Sequence, residues 1–313
     1  MNKHSIDAIP KLAAGRLTCD LDLGAAELVS LLELTRDVKG NPGRYGSALR
    51  GRILSLLFEK PSLRTRLTFE VAAKQLGGDS ILSVGPVGDR EPIKDVARNL
   101  DRWTNCIVAR TFSQETIEEL ARWSAVPVIN ALSNLYHPCQ ALADVFTLKE
   151  HFGDLLGLKL AFVGDGNNVA HSLMLTAARL GVSVAVATPP GYEPNSEIAH
   201  TARGLAEQTG ARVTVTNEAA EVLQDADAVY TDVWASMGQE GQKAQRLKDF
   251  APYQVDERLM KMAKPSAIFM HCLPAKRGEE VADAVIESPQ SVVFDQAENR
   301  LHTQKALLLM LLA

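Results

Sequence analysis

The feature that most constrains this chain is an alternation of short, continuous apolar runs with segments of helical period. The runs fall at 53–58, 80–84, 106–110, 126–130, 158–164, 183–188, 212–216, 228–234 and 267–273. Each has the length of a strand, and most are apolar throughout instead of every second residue. That pattern fits strands covered on both faces, as in a parallel sheet. Helical periods fill most of the gaps, for example 93–103 and 115–123. Strand–helix alternation of this kind gives an α/β fold with doubly wound parallel sheets. An amphipathic helix over 21–39, with Leu28, Leu31, Leu32 and Val38 as its buried stripe, precedes the first run.

A break near residue 150 divides the runs. Residues 141–152 read as one long helix, followed by Gly153-Asp154 and Gly157. Two doubly wound domains joined by long helices are expected, over 1–148 and 149–298, with a terminal helix over 299–313 packing back on the first. The length of 313 residues suits two domains. A net charge of -5 offers no basic face to nucleic acid, so an anionic ligand must be held by local cations. Four cysteines without paired spacing make neither a disulfide framework nor a zinc site, and fit a reducing compartment. No run reaches the length of a membrane span and none at the N-terminus has signal length, so a cytoplasmic protein with no membrane partner is expected.

In such folds ligands bind beyond the carboxyl ends of the strands, and the chemically suggestive residues cluster there. After the first run comes Phe58-Glu59-Lys60-Pro61-Ser62-Leu63-Arg64-Thr65-Arg66. Pro61 disfavours helix at Lys60, and Ser62 is a good N-cap. The new helix start, two hydroxyls and three cations make an anion site, with a capped, solvated surface helix as the competing reading. Arg110 ends the third run. His137, before Pro138, stands just outside the long helix, where its dipole favours a neutral, hydrogen-bond-donating imidazole; Gln140 lies one turn in. Helix capping explains His137 equally well.

Gly164-Asp165-Gly166-Asn167-Asn168-Val169 stands where a dinucleotide signature would, but Val169 replaces its third glycine. The asparagines serve either capping or a polar substrate, and His171 reads as structural. Asp232, flanked by apolar residues at a strand end, needs a cationic partner, for which a substrate ammonium would serve. Gly238 and Gly241 permit a mobile loop behind Ser236-Met237. Cys272, in His271-Cys272-Leu273-Pro274, reads either as a nucleophile or as an apolar filler.

In order along the chain, Ser62-Leu63-Arg64-Thr65-Arg66, Arg110-Thr111-Phe112, His137-Pro138-Cys139-Gln140, Gly164-Asp165-Gly166-Asn167-Asn168, Asp232-Val233-Trp234-Ala235-Ser236-Met237-Gly238 and His271-Cys272-Leu273-Pro274 resemble the signatures of the aspartate/ornithine carbamoyltransferases. The last three resemble the ornithine branch. The resemblance implies a first domain that binds carbamoyl phosphate through Ser62, Leu63, Arg64 and Thr65, with Arg110, His137 and Gln140 on the carbamoyl group. Arg300 and the backbone at Cys272 and Leu273 also reach it. It implies a second domain in which Asn168, Asp232, Ser236 and Met237 hold L-ornithine and Cys272 helps place the side-chain amine. The implied catalytic residues are Arg110, His137 and Cys272. The implied product is L-citrulline, in the biosynthetic direction of arginine metabolism. No cofactor and no metal are implied, and a homotrimer, or an assembly of trimers, is.

Two positions depart from the commonest family pattern. Leu63 replaces a threonine, which matters little if its backbone N–H meets the phosphate. The loop 85–90 reads Gly-Pro-Val-Gly-Asp-Arg and lacks the glutamine that reaches a neighbouring subunit's site in many relatives, leaving Arg90 as a candidate substitute.

Overall fold

The computed structural model describes residues 9–235 and 240–313. It divides into two compact units, one running up to Phe146 and taking in Asn299–Ala313, the other Thr147–Glu298. The division falls inside the long helix Pro138–Phe152, and the chain returns to the first unit within the terminal helix Val293–Leu312. Residues 293–298 are therefore already helical, ahead of the terminal helix expected from 299.

The first unit holds β1 (Ile53–Phe58), β2 (Asp79–Val84), β3 (Cys106–Arg110) and β4 (Val128–Leu132), parallel throughout, in the order β2-β1-β3-β4. β1 and β3 are the central pair and are almost wholly buried, as their continuous apolar runs require. Leu57, Ile107, Ala109 and Val128 pack with Ile117 and Leu120 of the helix Gln114–Trp123. Two strands depart from expectation. β2 is an edge strand, so Ile81 and Val84 stay exposed despite the apolar run. β4 begins two residues later than the run at 126–130, because Pro127 has no N–H for the ladder. Its carbonyl instead accepts from Ile107 N at 2.9 Å.

The second unit holds β5 (Lys159–Val163), β6 (Ser183–Ala187), β7 (Val213–Thr216), β8 (Ala228–Thr231) and β9 (Ile268–His271), again parallel, in the order β7-β6-β5-β8-β9. Phe162 pairs with Tyr230 in register, and their rings stack at 5.5 Å. β9 ends at His271, two residues short of its run, because Leu273 turns to the left-handed region at φ 56. The first helix begins at Ala25, not residue 21; residues 20–22 form a separate short turn.

Strand order locates the ligand ends. In the first sheet the chain winds outward from β1 to β2, then resumes on the other side at β3, so the order reverses between β1 and β3. In the second it reverses between β5 and β8. Loops diverge at these switch points and leave a crevice beyond the carboxyl ends of the two strands.

Candidate active site

At the first switch point, β1 leads into the helix Leu63–Gln75, whose N-cap Ser62 accepts from Thr65 N at 3.3 Å. Capping satisfies one of the free N–H groups and leaves others, with the positive dipole end, for an anion. Leu63 is 70% exposed, so at this position the backbone is what the helix start offers. Arg66 turns away to pair with Glu70 at 2.8 Å, which removes it from the cation cluster suggested by sequence. Lys60 is buried, with Nζ 4.5 Å from the centroid of the Phe112 ring.

Arg300, far away in sequence, joins this cluster from the terminal helix. Its Nη2 donates to Thr65 Oγ1 at 2.8 Å and its Nη1 to Gln140 Oε1 at 2.7 Å. Gln140 Nε2 in turn donates to Asp144 Oδ1 at 2.8 Å, which fixes the amide with its oxygen toward Arg300. All four side chains are buried. Arg110, opposite Phe58 in the β1–β3 register, is buried as well. His137 is held well below its ordinary pKa by burial, then by the Arg300 and Arg110 guanidinium groups. The imidazole is therefore neutral, as the sequence suggested, but burial and two cations are the cause and not the helix dipole alone. Thr65, Arg110, His137, Gln140 and Arg300 thus form one group of buried polar side chains around a helix start.

At the second switch point, Asn167 caps the helix Asn168–Arg179, its Oδ1 accepting from Val169 N at 2.9 Å and Ala170 N at 3.3 Å. Its Nδ2 donates to Asp232 Oδ2 at 2.8 Å. Asp232 Oδ1 accepts from Val233 N at 2.8 Å and from Cys272 Sγ at 3.0 Å. These donors answer part of the burial cost of the carboxylate, which is only 5% exposed. Asn168 is the first residue of the helix, beside this group. Ser236 and Met237 lie outside the described residues. Gly166 is required by packing, not by a dinucleotide: a Cβ there would stand 2.2 Å from Pro194 N. His171 is structural, accepting from Asn195 N at 2.9 Å.

Asp232, His271 and Cys272 bring one potential ligand atom each within 4.8 Å of one another. Both imidazole nitrogens of His271 are engaged, Nδ1 by Leu273 N at 2.8 Å and Nε2 with Glu280 Oε1 at 3.1 Å. A metal there would have to break that pairing. The same engagement prevents His271 from acting as a base toward Cys272.

Residues 16–150 match the carbamoyl-P binding domain, and residues 156–311 the Asp/Orn binding domain, of the aspartate/ornithine carbamoyltransferases. The chain belongs to this family. An ornithine carbamoyltransferase of Anoxybacillus flavithermus is 50% identical to it over 297 residues, 93% of this chain and 94% of the relative. The anabolic ornithine carbamoyltransferase of Pyrococcus furiosus is 48% identical over 308 residues, 96% of this chain and 97% of the relative. A solved structure of the Pyrococcus furiosus ornithine carbamoyltransferase matches with a TM-score of 0.93 at 47% identity, covering 96% of this chain and 98% of that one.

Within this carbamoyltransferase, several residues near the site escape sequence reasoning. Arg246 is buried and its Nη1 bridges Asp165 Oδ2 at 2.9 Å and the Trp234 carbonyl at 2.7 Å. Its guanidinium lies 4.8 Å from the Tyr192 ring centroid. Burial raises the Asp165 pKa to about 6, opposed by Arg246 and reinforced by Asp232. Glu280, fully buried, accepts from Lys276 N at 2.6 Å as well as meeting His271, and so shapes the chain after Cys272. Glu59 accepts from two neighbouring loops. A carboxylate beside an anion site has the wrong sign for the ligand, and that mismatch was the available signal.

Proposed function

We propose that this protein transfers the carbamoyl group of carbamoyl phosphate to the side-chain amine of L-ornithine, giving L-citrulline and phosphate, in arginine biosynthesis. The observation that carries the reading is the convergence of Arg300 on Thr65 and Gln140 beside a neutral His137 and Arg110. A phosphate at the helix start meets backbone N–H groups and cations. The carbamoyl oxygen meets fixed donors from Arg110 and His137, which stabilise the negative charge that develops as the amine attacks. Losing one such donor typically costs ~10²–10³ in rate. As the tetrahedral intermediate collapses, the C–O bond to phosphate breaks and the phosphate clamp takes up the growing charge on the leaving group.

The second unit supplies the amino-acid end. Asp232, fixed by three donors, pairs with the α-ammonium, with Asn168, Ser236 and Met237 completing the grip on the α-carbon groups. Cys272 helps place the side-chain amine. The nucleophile must be neutral; with a pKa near ~10.4, deprotonation at pH 7 costs ~4–5 kcal/mol. The guanidinium groups facing the reaction lower that cost by repelling the ammonium form. The same reading places the carbamoyl phosphate domain at 1–148, with the terminal helix, and the ornithine domain at 149–298.

A homotrimer is part of this proposal. Ile81 and Val84 on the β2 edge strand are 60% and 69% exposed, and exposed apolar side chains on an open sheet edge favour a partner surface. Among the described residues no helix is long and apolar enough to cross a membrane. The four cysteines are free thiols, which suits a reducing cytoplasm. The deciding experiment is citrulline formation from carbamoyl phosphate with ornithine, run in parallel with putrescine, aspartate and N-acetylornithine. Preference for ornithine is expected. Turnover of another amine in its place would overturn the reading of the second unit, and no turnover with any acceptor would overturn the function.

A further inference from the structure

Glu59 follows directly on β1, and its surroundings have an internal regularity. Gly85 N donates to the Phe58 carbonyl at 3.0 Å, and two residues later Val87 N donates to Glu59 Oε1 at 2.9 Å. On the other side Glu59 N donates to the Arg110 carbonyl at 2.9 Å, and two residues later Phe112 N donates to Glu59 Oε2 at 2.7 Å. Each flanking loop is therefore fastened twice to the β1 exit, once at its root by the main chain and once further out by a carboxylate oxygen. One of these loops leaves β3 at Arg110; the other is the 85–90 segment.

The sign of the charge separates two explanations. A carboxylate at an anion site repels the ligand, so on electrostatic grounds alone it should weaken carbamoyl phosphate binding. Here both of its oxygens are committed to backbone N–H donors. We infer that Glu59 is a positioning residue: its carboxylate spans the first switch point and fixes where Arg110 and the 85–90 loop present themselves to carbamoyl phosphate. The inference rests on the proposed function, because the loops are given their meaning by that substrate.

Two substitutions distinguish the brace from the charge. Glu59→Gln keeps the shape but has a single acceptor oxygen, so its NH₂ faces one of the two loop amides, and it removes the negative charge. Glu59→Asp keeps the charge but shortens the arm by one methylene. The brace predicts that both raise the KM for carbamoyl phosphate, or lower kcat, by about tenfold or more, the size expected for losing one charge-assisted hydrogen bond. KM for ornithine stays within about twofold, and hydrogen exchange at the Val87 and Phe112 amides speeds up while the rest of the first unit keeps its protection.

Wild-type turnover is measured first. If the wild type makes no citrulline, the functional reading fails; if it does, the variants judge Glu59 alone. The inference is overturned if Glu59→Gln lowers the KM for carbamoyl phosphate, or if either variant keeps both constants within about twofold of wild type. It is overturned equally if both variants lose protection throughout the first unit, since Glu59 would then support the fold and not the site.

Discussion

Replacing Asp232 by asparagine tests the amino-acid half of the site. Asp232 accepts from Asn167 Nδ2 through one oxygen and from Val233 N and Cys272 Sγ through the other. Asparagine offers a single acceptor. Turned one way, its NH₂ meets the Asn167 amide, which cannot flip because Asn167 Oδ1 is committed to Val169 and Ala170 N–H groups. Turned the other way, it meets the Val233 N–H and the thiol. Either orientation sets donor against donor, at about 1–3 kcal/mol for a buried donor left unmatched. The lost ion pair with the substrate ammonium adds about 1.5–3 kcal/mol. The first cost is present with or without substrate and falls on stability; the ion pair alone sets the loss in kcat/KM for ornithine, ~10–10². The assay is steady-state citrulline formation, with 5-aminopentanoate, which lacks the α-ammonium, as a second acceptor. The wild type should lose most of its advantage with 5-aminopentanoate, and Asp232→Asn should add little further loss there, because the pair it breaks is already missing. A value for ornithine within threefold of wild type, or an equal loss with both acceptors, would refute the assignment of Asp232 to the α-ammonium.

Three further outcomes follow from the same geometry. The His137 pKa is depressed in the folded protein, so the unfolded chain binds the extra proton first as pH falls below 6.5. Stability is then lost toward lower pH, by up to ~1.4 kcal/mol per pH unit, and His137→Gln should flatten that slope between pH 6.5 and 5 in urea titrations; an unchanged slope would remove His137 from the titration. Leu63→Ser should leave kcat/KM for carbamoyl phosphate within about threefold, since a helix start binds phosphate through backbone N–H groups; a larger loss in steady-state assays would give the Leu63 side chain a role. The rate with ornithine at sub-saturating concentration should rise from pH 6 toward pH 9, as the neutral amine becomes populated, and a flat profile with chemistry rate-limiting would sink the argument about the nucleophile.

How much of this was legible in the sequence follows from how each residue acts. Central strands such as β1, β3 and β5 announce themselves because burial on both faces demands continuous apolar runs. β2 shares the apolar character but sits at an edge, and a sheet's strand order is not written in any one strand. Residues proposed to meet ligand, such as Arg110 and Asp232, stood out as charges in apolar company at strand ends. Arg300 was reached only through the family resemblance, because its partners Thr65 and Gln140 lie 235 and 160 residues away. Glu59 gave only the signal of its misplaced charge, because both its partners are backbone N–H groups, which every residue but proline supplies. Arg246 and Glu280 pair with Asp165 and His271, but over 81 and 9 residues, and no local pattern ties those positions together.

The two units solve the same problem with opposite signs. Each places a capped helix start beside a residue from the strand across the switch point: Ser62 with Arg110 in the first, Asn167 with Asp232 in the second. A helix N-terminus attracts anions in either case. In the first unit Arg110 and Arg300 add to that preference, as the proposed phosphate site requires. In the second, Asp232 occupies the anion's place itself, with Asn167 linking its carboxylate to the helix it caps. On the proposed function, the carboxylate turns an anion-attracting end into one that accepts an ammonium. Selection of the amine acceptor is then concentrated at the second switch point, and an acceptor carrying a further carboxylate would meet Asp232 as a repelling charge. The carbamoyl phosphate half needs no change to serve a different amine. That explains how one pair of folded units can serve a family named for two acceptors, aspartate and ornithine.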